Sequence, residues 1–495
     1  MSSAPAATTA EKPSAPLLDY DSTGQRIWRV GSLTYNRGQL SNVFLWMLWG
    51  DFCLHLMDMG VVPNVVPLQM NKYGASGFMI GLITGTVMEV MSTVLVAVVG
   101  TWSDRHRGRL GRRMPFLLWA TPPLAVCLAL LGFSPQLAGW LKAHAPGLLG
   151  GVSIASVTIG TMALALTAYK FFDIVPQSVY YYLWPDVIPA RLMGTFTCWF
   201  KVVGTLGVMF FNWRLLKYAT SHPEWICLLA AGLYLFSFLM LVFMVREGDY
   251  PPPEPPPEGT PSERLAKTVV RYAIECFSRA YYWKIYLFNL FFIAGLSPLS
   301  YFLVIYGTKT LGIDEGRYGS AMAVRDGVRL IVFLAMGPLV DRFHPIRAGI
   351  VANILACLTA AAAFVFTRGQ TSFMVMAVAV FIAIAIFQAS TFALGPRILP
   401  QKQYGQFCSA IGIVYRLGVA VAMPLAGLFF DRFGYHYLFA WFAVFTLLSS
   451  VMIVSLYFDW KRLGGDEHYV APVVEQQQFQ SPRGFEVVVE PGSRE

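Results

Sequence analysis

A run of about twenty apolar residues crosses the hydrocarbon core of a bilayer as one helix, and this sequence contains twelve such runs. They cover roughly 40–68, 77–101, 115–134, 152–183, 194–218 and 225–245, then 282–306, 316–340, 346–367, 372–396, 405–430 and 434–458. In hydrocarbon a segment must satisfy its own backbone N–H and C=O groups, which a helix does internally. The expected fold class is therefore an all-α polytopic membrane protein. Composition agrees, since charged residues make up 13% of the chain, about half the share usual in soluble domains.

The runs fall into two sets of six. Between them lie residues 246–281, which include Pro251-Pro-Pro-Glu-Pro-Pro-Pro-Glu-Gly259. Serial prolines favour extended backbone, so this stretch reads as a cytoplasmic linker between half 40–245 and half 282–459. Residues 1–39 are rich in Ala, Ser, Pro and Thr and carry no apolar signal-peptide core. The tail 460–495 is polar and expected to be disordered. Loops on the side of the termini hold about twice the Lys and Arg of the opposite loops, which places both termini in the cytoplasm of a multi-pass cell (inner) membrane protein. The net charge of +9 lies in short loops and not in a basic stripe, so nucleic acid is not an expected partner. Seven scattered cysteines argue against a disulfide framework or a metal site. The chain shows no phosphate loop, nucleophile motif or metal cluster, so it does not read as an enzyme.

The halves repeat one another. Trp184-Pro-Asp-Val-Ile-Pro-Ala-Arg191 through Phe196 matches Gly395-Pro-Arg-Ile-Leu-Pro-Gln-Lys402 through Phe407 at a constant offset. A second match pairs Gly100-x-x-x-Asp104-Arg105 with Gly337-x-x-x-Asp341-Arg342, and the same shift sets Glu89 opposite Asp326. Such duplication is a mark of transporters whose site lies between the repeats.

Ionisable residues inside the runs are costly unless they face a polar interior, so they are the functional candidates. Asp51, His55 and Asp58 share one face of the first run. Lys170 and Asp173 either neutralise each other or meet a ligand, with Gln177 and Tyr181 one and two turns on. Lys201 and Arg416 set one cation in each half at similar depth. Arg325, Asp326 and Arg329 read equally as a self-contained ion pair. Glu89 has no basic residue within a turn, so Glu89, Asp58 and Asp326 are the proton-coupling candidates. Carboxylates and amides beside an aromatic face suit a sugar, which offers both hydroxyls and flat C–H surfaces.

Residues Gly100 through Arg113, with five arginines, resemble the loop between helices 2 and 3 of major facilitator transporters. Within that superfamily the chain resembles the glycoside–pentoside–hexuronide:cation symporters, the group of the melibiose carrier. Gly50-Asp51-Phe52 resembles a first-helix segment with a sugar-binding aspartate. Arg107-Gly-Arg109-Leu-Gly111-Arg112-Arg113-Met-Pro115 is similar to the group's basic loop, and Lys201-Val-Val-Gly-Thr-Leu-Gly207 to a fifth-helix segment opening on a sugar-binding arginine. The resemblance puts Tyr181 where that carrier stacks a tryptophan on sugar, and Gln177 at a sugar-binding aspartate. Its two sodium-binding aspartates fall on Ser92 and Val96 here, and valine offers no oxygen ligand.

The reading is a twelve-helix, two-half transporter that binds a saccharide through Asp51, Asp173, Gln177, Tyr181, Lys201 and Arg416, without a cofactor or metal and as a monomer. The expected coupling ion is H+ rather than Na+, with uniport as the other outcome. Gly100, Asp104, Arg105, Asp341 and Arg342 form a cytoplasmic gate, in which a carboxylate caps a helix of the other half. An organic anion such as a hexuronide is the alternative substrate, and a membrane sensor that binds without translocating is the alternative class.

Overall fold

The computed structural model describes residues 26–108, 110–250, 261–400, 403–472, 479–480 and 486–487. Twelve long helices follow the hydropathy pattern: α1 (Arg37–Lys72), α2 (Gly77–Asp104), α3 (Met114–Gly132), α4 (Ile154–Val187), α5 (Ala190–Tyr218) and α6 (Pro223–Met244), then α7 (Ala280–Thr310), α8 (Glu315–Arg342), α9 (Pro345–Phe366), α10 (Gln370–Ile398), α11 (Tyr404–Phe433) and α12 (Tyr435–Arg462). Among the described residues, eleven are apolar enough to cross a membrane. The exception, α8, has 28 residues, ample length, but carries Arg325, Asp326 and Arg329 at its centre.

Several helices depart from regular α geometry where the sequence forces it. Pro298 removes the N–H that would bond the Ala294 carbonyl, and Trp441 Nε1 of α12 donates to that oxygen instead, at 3.1 Å. Wider π turns interrupt α1 at Leu56–Val61, α2 at Leu82–Val87 and α5 at Phe211–Leu215, and one closes α7 at Tyr306–Thr310. Such turns redirect side chains and recur at functional positions. Asp58 and Asn212 ride on two of them.

Three stretches outside the bundle are more ordered than the sequence implies. A hairpin of β1 (Trp28–Val30) and β2 (Leu33–Tyr35) precedes α1, and Ser32 Oγ accepts from the Asp249 N–H at 2.7 Å. The second part of the linker is a helix, Pro261–Phe277, while Pro251 to Gly259 lies outside the described residues. That helix docks on the start of α11, where Gln406 Nε2 donates to Glu275 at 2.7 Å. The tail beyond α12 does not simply leave the molecule. Tyr469 donates to the Ile398 carbonyl at 2.7 Å and lies 2.9 Å from the Tyr281 hydroxyl.

At the end away from the termini the two halves touch closely. Gly77, Gly81 and Gly85, four residues apart, form one stripe of α2. A Cβ on Gly81 would lie 2.3 Å from the Met423 carbonyl oxygen, and one on Gly427 would lie 2.0 Å from the Gly77 carbonyl. Likewise Gly319 of α8 meets the Asn212 carbonyl of α5, 2.1 Å from a Cβ built there. Only glycine permits such backbone approach. At the near end, a Cβ on Gly194 or Gly405 would meet nothing within 4 Å.

Candidate functional site

The first-helix stripe assembles as its spacing implies. Asp51 is fully buried, and His55 Nδ1 sits 2.7 Å from its Oδ1. Helix α5 presses against this pair because Gly204 has no side chain; a Cβ there would be 2.9 Å from Asp51 Oδ2. Lys201, one turn before Gly204, has Asp51 and Arg329 as its charged neighbours. Asp58, turned inward on its π segment, accepts from Gln177 Nε2 at 2.5 Å.

Gln177 also links Asp58 to the fourth-helix pair. Lys170 Nζ donates to Asp173 Oδ2 at 2.9 Å and to Gln177 Oε1 at 3.4 Å, and Tyr234 OH donates to Asp173 Oδ1 at 3.3 Å. Asp173 is wholly buried and its oxygens are engaged, so Lys170 and Asp173 neutralise each other in this state. Tyr181 differs from its neighbour Tyr180. Tyr180 is buried, whereas Tyr181 is 39% exposed between Trp184 and Phe200, with ring centroids at 5.2 and 5.8 Å.

One expectation about charge is corrected, and one reading left open by the sequence is narrowed. Glu89 is not alone, because Arg416 Nη1 of α11 reaches its Oε2 at 3.3 Å. The pair joins the halves, and no spacing within one helix could reveal it. The α8 charges are not self-contained either. Arg325 holds Asp326 at 2.7 Å, but Arg329 donates to Gln388 at 3.0 Å, and Asn212 of α5 donates to Asp326 at 2.7 Å. Asn212 escaped the sequence reading because a lone amide in an apolar run carries no charge signal.

The arginine-rich loop is a structural knot within the first half. Glu247, just past α6, accepts the backbone N–H groups of Arg112, Arg113 and Met114 at 2.9, 2.8 and 2.7 Å, satisfying the start of α3. Asp186 at the end of α4 takes Arg112 at 3.1 Å, Arg113 at 2.9 Å and Tyr250 OH at 2.7 Å. Burial, then this hydrogen bond to Asp186, holds the Tyr250 phenol well above its usual range. Asp104 lies 3.8 and 3.6 Å from Arg112 and Arg113, partners in its own half. A Cβ on Gly100 would approach the Tyr182 hydroxyl to 3.5 Å, and Arg342 packs near the Phe343 ring. The Arg105, Gly337 and Asp341 side-chain positions lie outside the described residues.

With this geometry in view, comparison with known proteins supplies the class. The chain matches the Major Facilitator Superfamily over residues 47–387 and again over 308–482, and it belongs to that family. It is therefore a transporter and not an enzyme. No curated protein sequence matches it. Among solved structures, a bacterial homologue of the iron transporter ferroportin in its inward-facing state aligns at TM-score 0.63 and 16% identity, covering 85% of this chain and 98% of that one. The outward-facing state of a bacterial ferroportin homologue aligns at 0.53 and 17%, covering 84% and 99%. A D-xylose–proton symporter aligns at 0.60 and 14%, covering 83% and 97%.

Proposed function

We propose that this major facilitator moves a sugar or glycoside across the cell membrane by alternating access, driven by a proton gradient. The carrying observation is the line of polar side chains from both halves that meets mid-bundle: Asp51 with His55, Asp58 with Gln177, and Glu89 with Arg416. Tyr181 presents an open aromatic face beside them. Asp51, Gln177, Tyr181, Lys201 and Arg416 hydrogen-bond and stack the sugar, while Asp173 holds Lys170 in place. Glu89, Asp58 and Asp326 carry the coupling proton. Ser92 and Val96 support a proton over sodium, because together they offer one neutral hydroxyl oxygen where a hard cation wants several oxygen ligands. The chain works as a monomer with both termini in the cytoplasm, so the described state faces inward, in keeping with the higher score against the inward-facing ferroportin homologue. In the opposite state Gly100, Asp104, Arg105, Asp341 and Arg342 close the cytoplasmic end.

A second substrate class has its own support. Lys201, Arg329 and Arg416 put three cations at the meeting of the halves, which suits an acidic sugar such as a hexuronide. The test is uptake of labelled neutral and acidic sugars into proteoliposomes with and without an inward proton gradient. Gradient-stimulated uptake of a neutral sugar supports the first reading, and preference for the acidic sugar the second. Binding without counterflow would make the protein a sensor.

A further inference from the structure

The hexad Gly-x-x-x-Asp-Arg occurs a third time in this chain, as Gly427-Leu-Phe-Phe-Asp431-Arg432. The first two copies end α2 and α8 on the side of the termini; the third ends α11 on the opposite side. Four residues apart on a helix, its glycine and aspartate point the same way, and both meet the first turn of α2. Gly427 lets the Gly77 backbone approach. Asp431 then accepts the N–H groups of Gly77 and Phe78, at 2.8 Å to Oδ1 and 3.1 Å to Oδ2. The next donor, the Met79 N–H, goes to the helix's own cap, Ser76 Oγ, at 3.1 Å. A helix of one half is thus capped by a carboxylate of the other, where unpaired N–H groups and the helix dipole favour negative charge.

The same device recurs across the second pair of helices. Glu315, the first residue of α8, accepts the backbone N–H of Thr220 at 3.2 Å and the Thr220 hydroxyl, just beyond α5. Both carboxylates belong to the second half and both donors to the first, so the two contacts break together when the halves separate at this end. We infer that Asp431 and Glu315 form a two-point latch that holds this end of the transporter shut and sets how often it opens. The inference rests on the alternating-access reading above, and it makes these two side chains positioning residues of the transport cycle that touch no substrate.

The reporter is Met423→Cys, in the full-length chain with its native cysteines replaced. Met423 is buried against Gly81 and Gly85 and is reached from this side only when the latch opens. A membrane-impermeant maleimide applied from this side of proteoliposomes should label Asp431→Asn and Glu315→Gln each about tenfold faster than the parent, as expected for losing charge-assisted hydrogen bonds. Asp431→Glu, which keeps the carboxylate, should return to within about twofold. Parent-like labelling in either Asp431→Asn or Glu315→Gln would overturn the latch, and Glu315→Gln reads it alone if the other variant does not fold. Sugar counterflow on the same vesicles separates the two ideas. Labelling that depends on the latch without counterflow removes the transport reading and keeps the latch, whereas counterflow with unchanged labelling does the reverse.

Discussion

Replacing Gly81 by alanine loads a single methyl onto one of the tight backbone contacts between the halves. The new Cβ would lie 2.3 Å from the Met423 carbonyl oxygen and 2.8 Å from Pro424 N, both backbone atoms that no rotamer can move. Ordinary contact begins at 3.4 Å, so 3.4 less 2.3 leaves about 1 Å by which α2 and α11 must part in a close-packed interior. Overpacking of this kind costs about 1–3 kcal/mol. At 1.4 kcal/mol per tenfold, the closed end is depopulated about 5- to 150-fold relative to the separated one. Spin labels on Gly139, in the short helix between α3 and α4, and on Arg368, between α9 and α10, report the width of this end. The expected result is a second, longer distance in Gly81→Ala, accompanied by slower transport. Gly160→Ala, where a Cβ meets nothing within 4 Å, serves as the control and should leave both unchanged. A single parent-like distance with parent-like uptake in Gly81→Ala would refute the claim that glycine contact holds this end closed.

Further predictions concern single side chains. Glu89→Gln should retain counterflow yet lose gradient-driven accumulation at least about tenfold, in line with catalytic proton groups generally; unchanged accumulation would remove Glu89 from coupling. Thr86→Val takes away the hydroxyl that donates to the Ala420 carbonyl of α11, an oxygen orphaned by Pro424. The loss of about 1 kcal/mol should shift the same spin-label distances about fivefold in population towards the open form. Tyr181→Ala should raise the half-saturating sugar concentration about tenfold, with Tyr181→Trp close to the parent; equal values in both variants would take Tyr181 out of the sugar site. Glu247→Ala strands three backbone donors at the start of α3 and should lower the apparent unfolding temperature by roughly 5 °C, measured by fluorimetry of the purified protein.

Much of the site was legible because each helix carries its own pattern. Asp51, His55 and Asp58 could be placed on one face from spacing alone, and Lys170 with Asp173 from a three-residue step. Glu89 shows where that logic ends. It is isolated along α2, so it read as an unpaired carboxyl, yet Arg416 lies 3.3 Å away and 327 residues on in the chain. Arg329 failed in the opposite direction: it is one turn from Asp326 in sequence but turns to Gln388 on α10. Asp431 falls between the runs 405–430 and 434–458, where a charged residue is ordinary, and only the repeated hexad singles it out.

Hydropathy, proline punctuation and internal repetition determined by themselves that the chain is a two-half bundle of membrane helices, because each is a property of residues near one another along one strand of sequence. Tertiary structure alone decided which end is closed and which charges are shared. Those depend on how two separately folded bundles meet, with glycines admitting backbone to backbone and carboxylates of one half finding donors of the other.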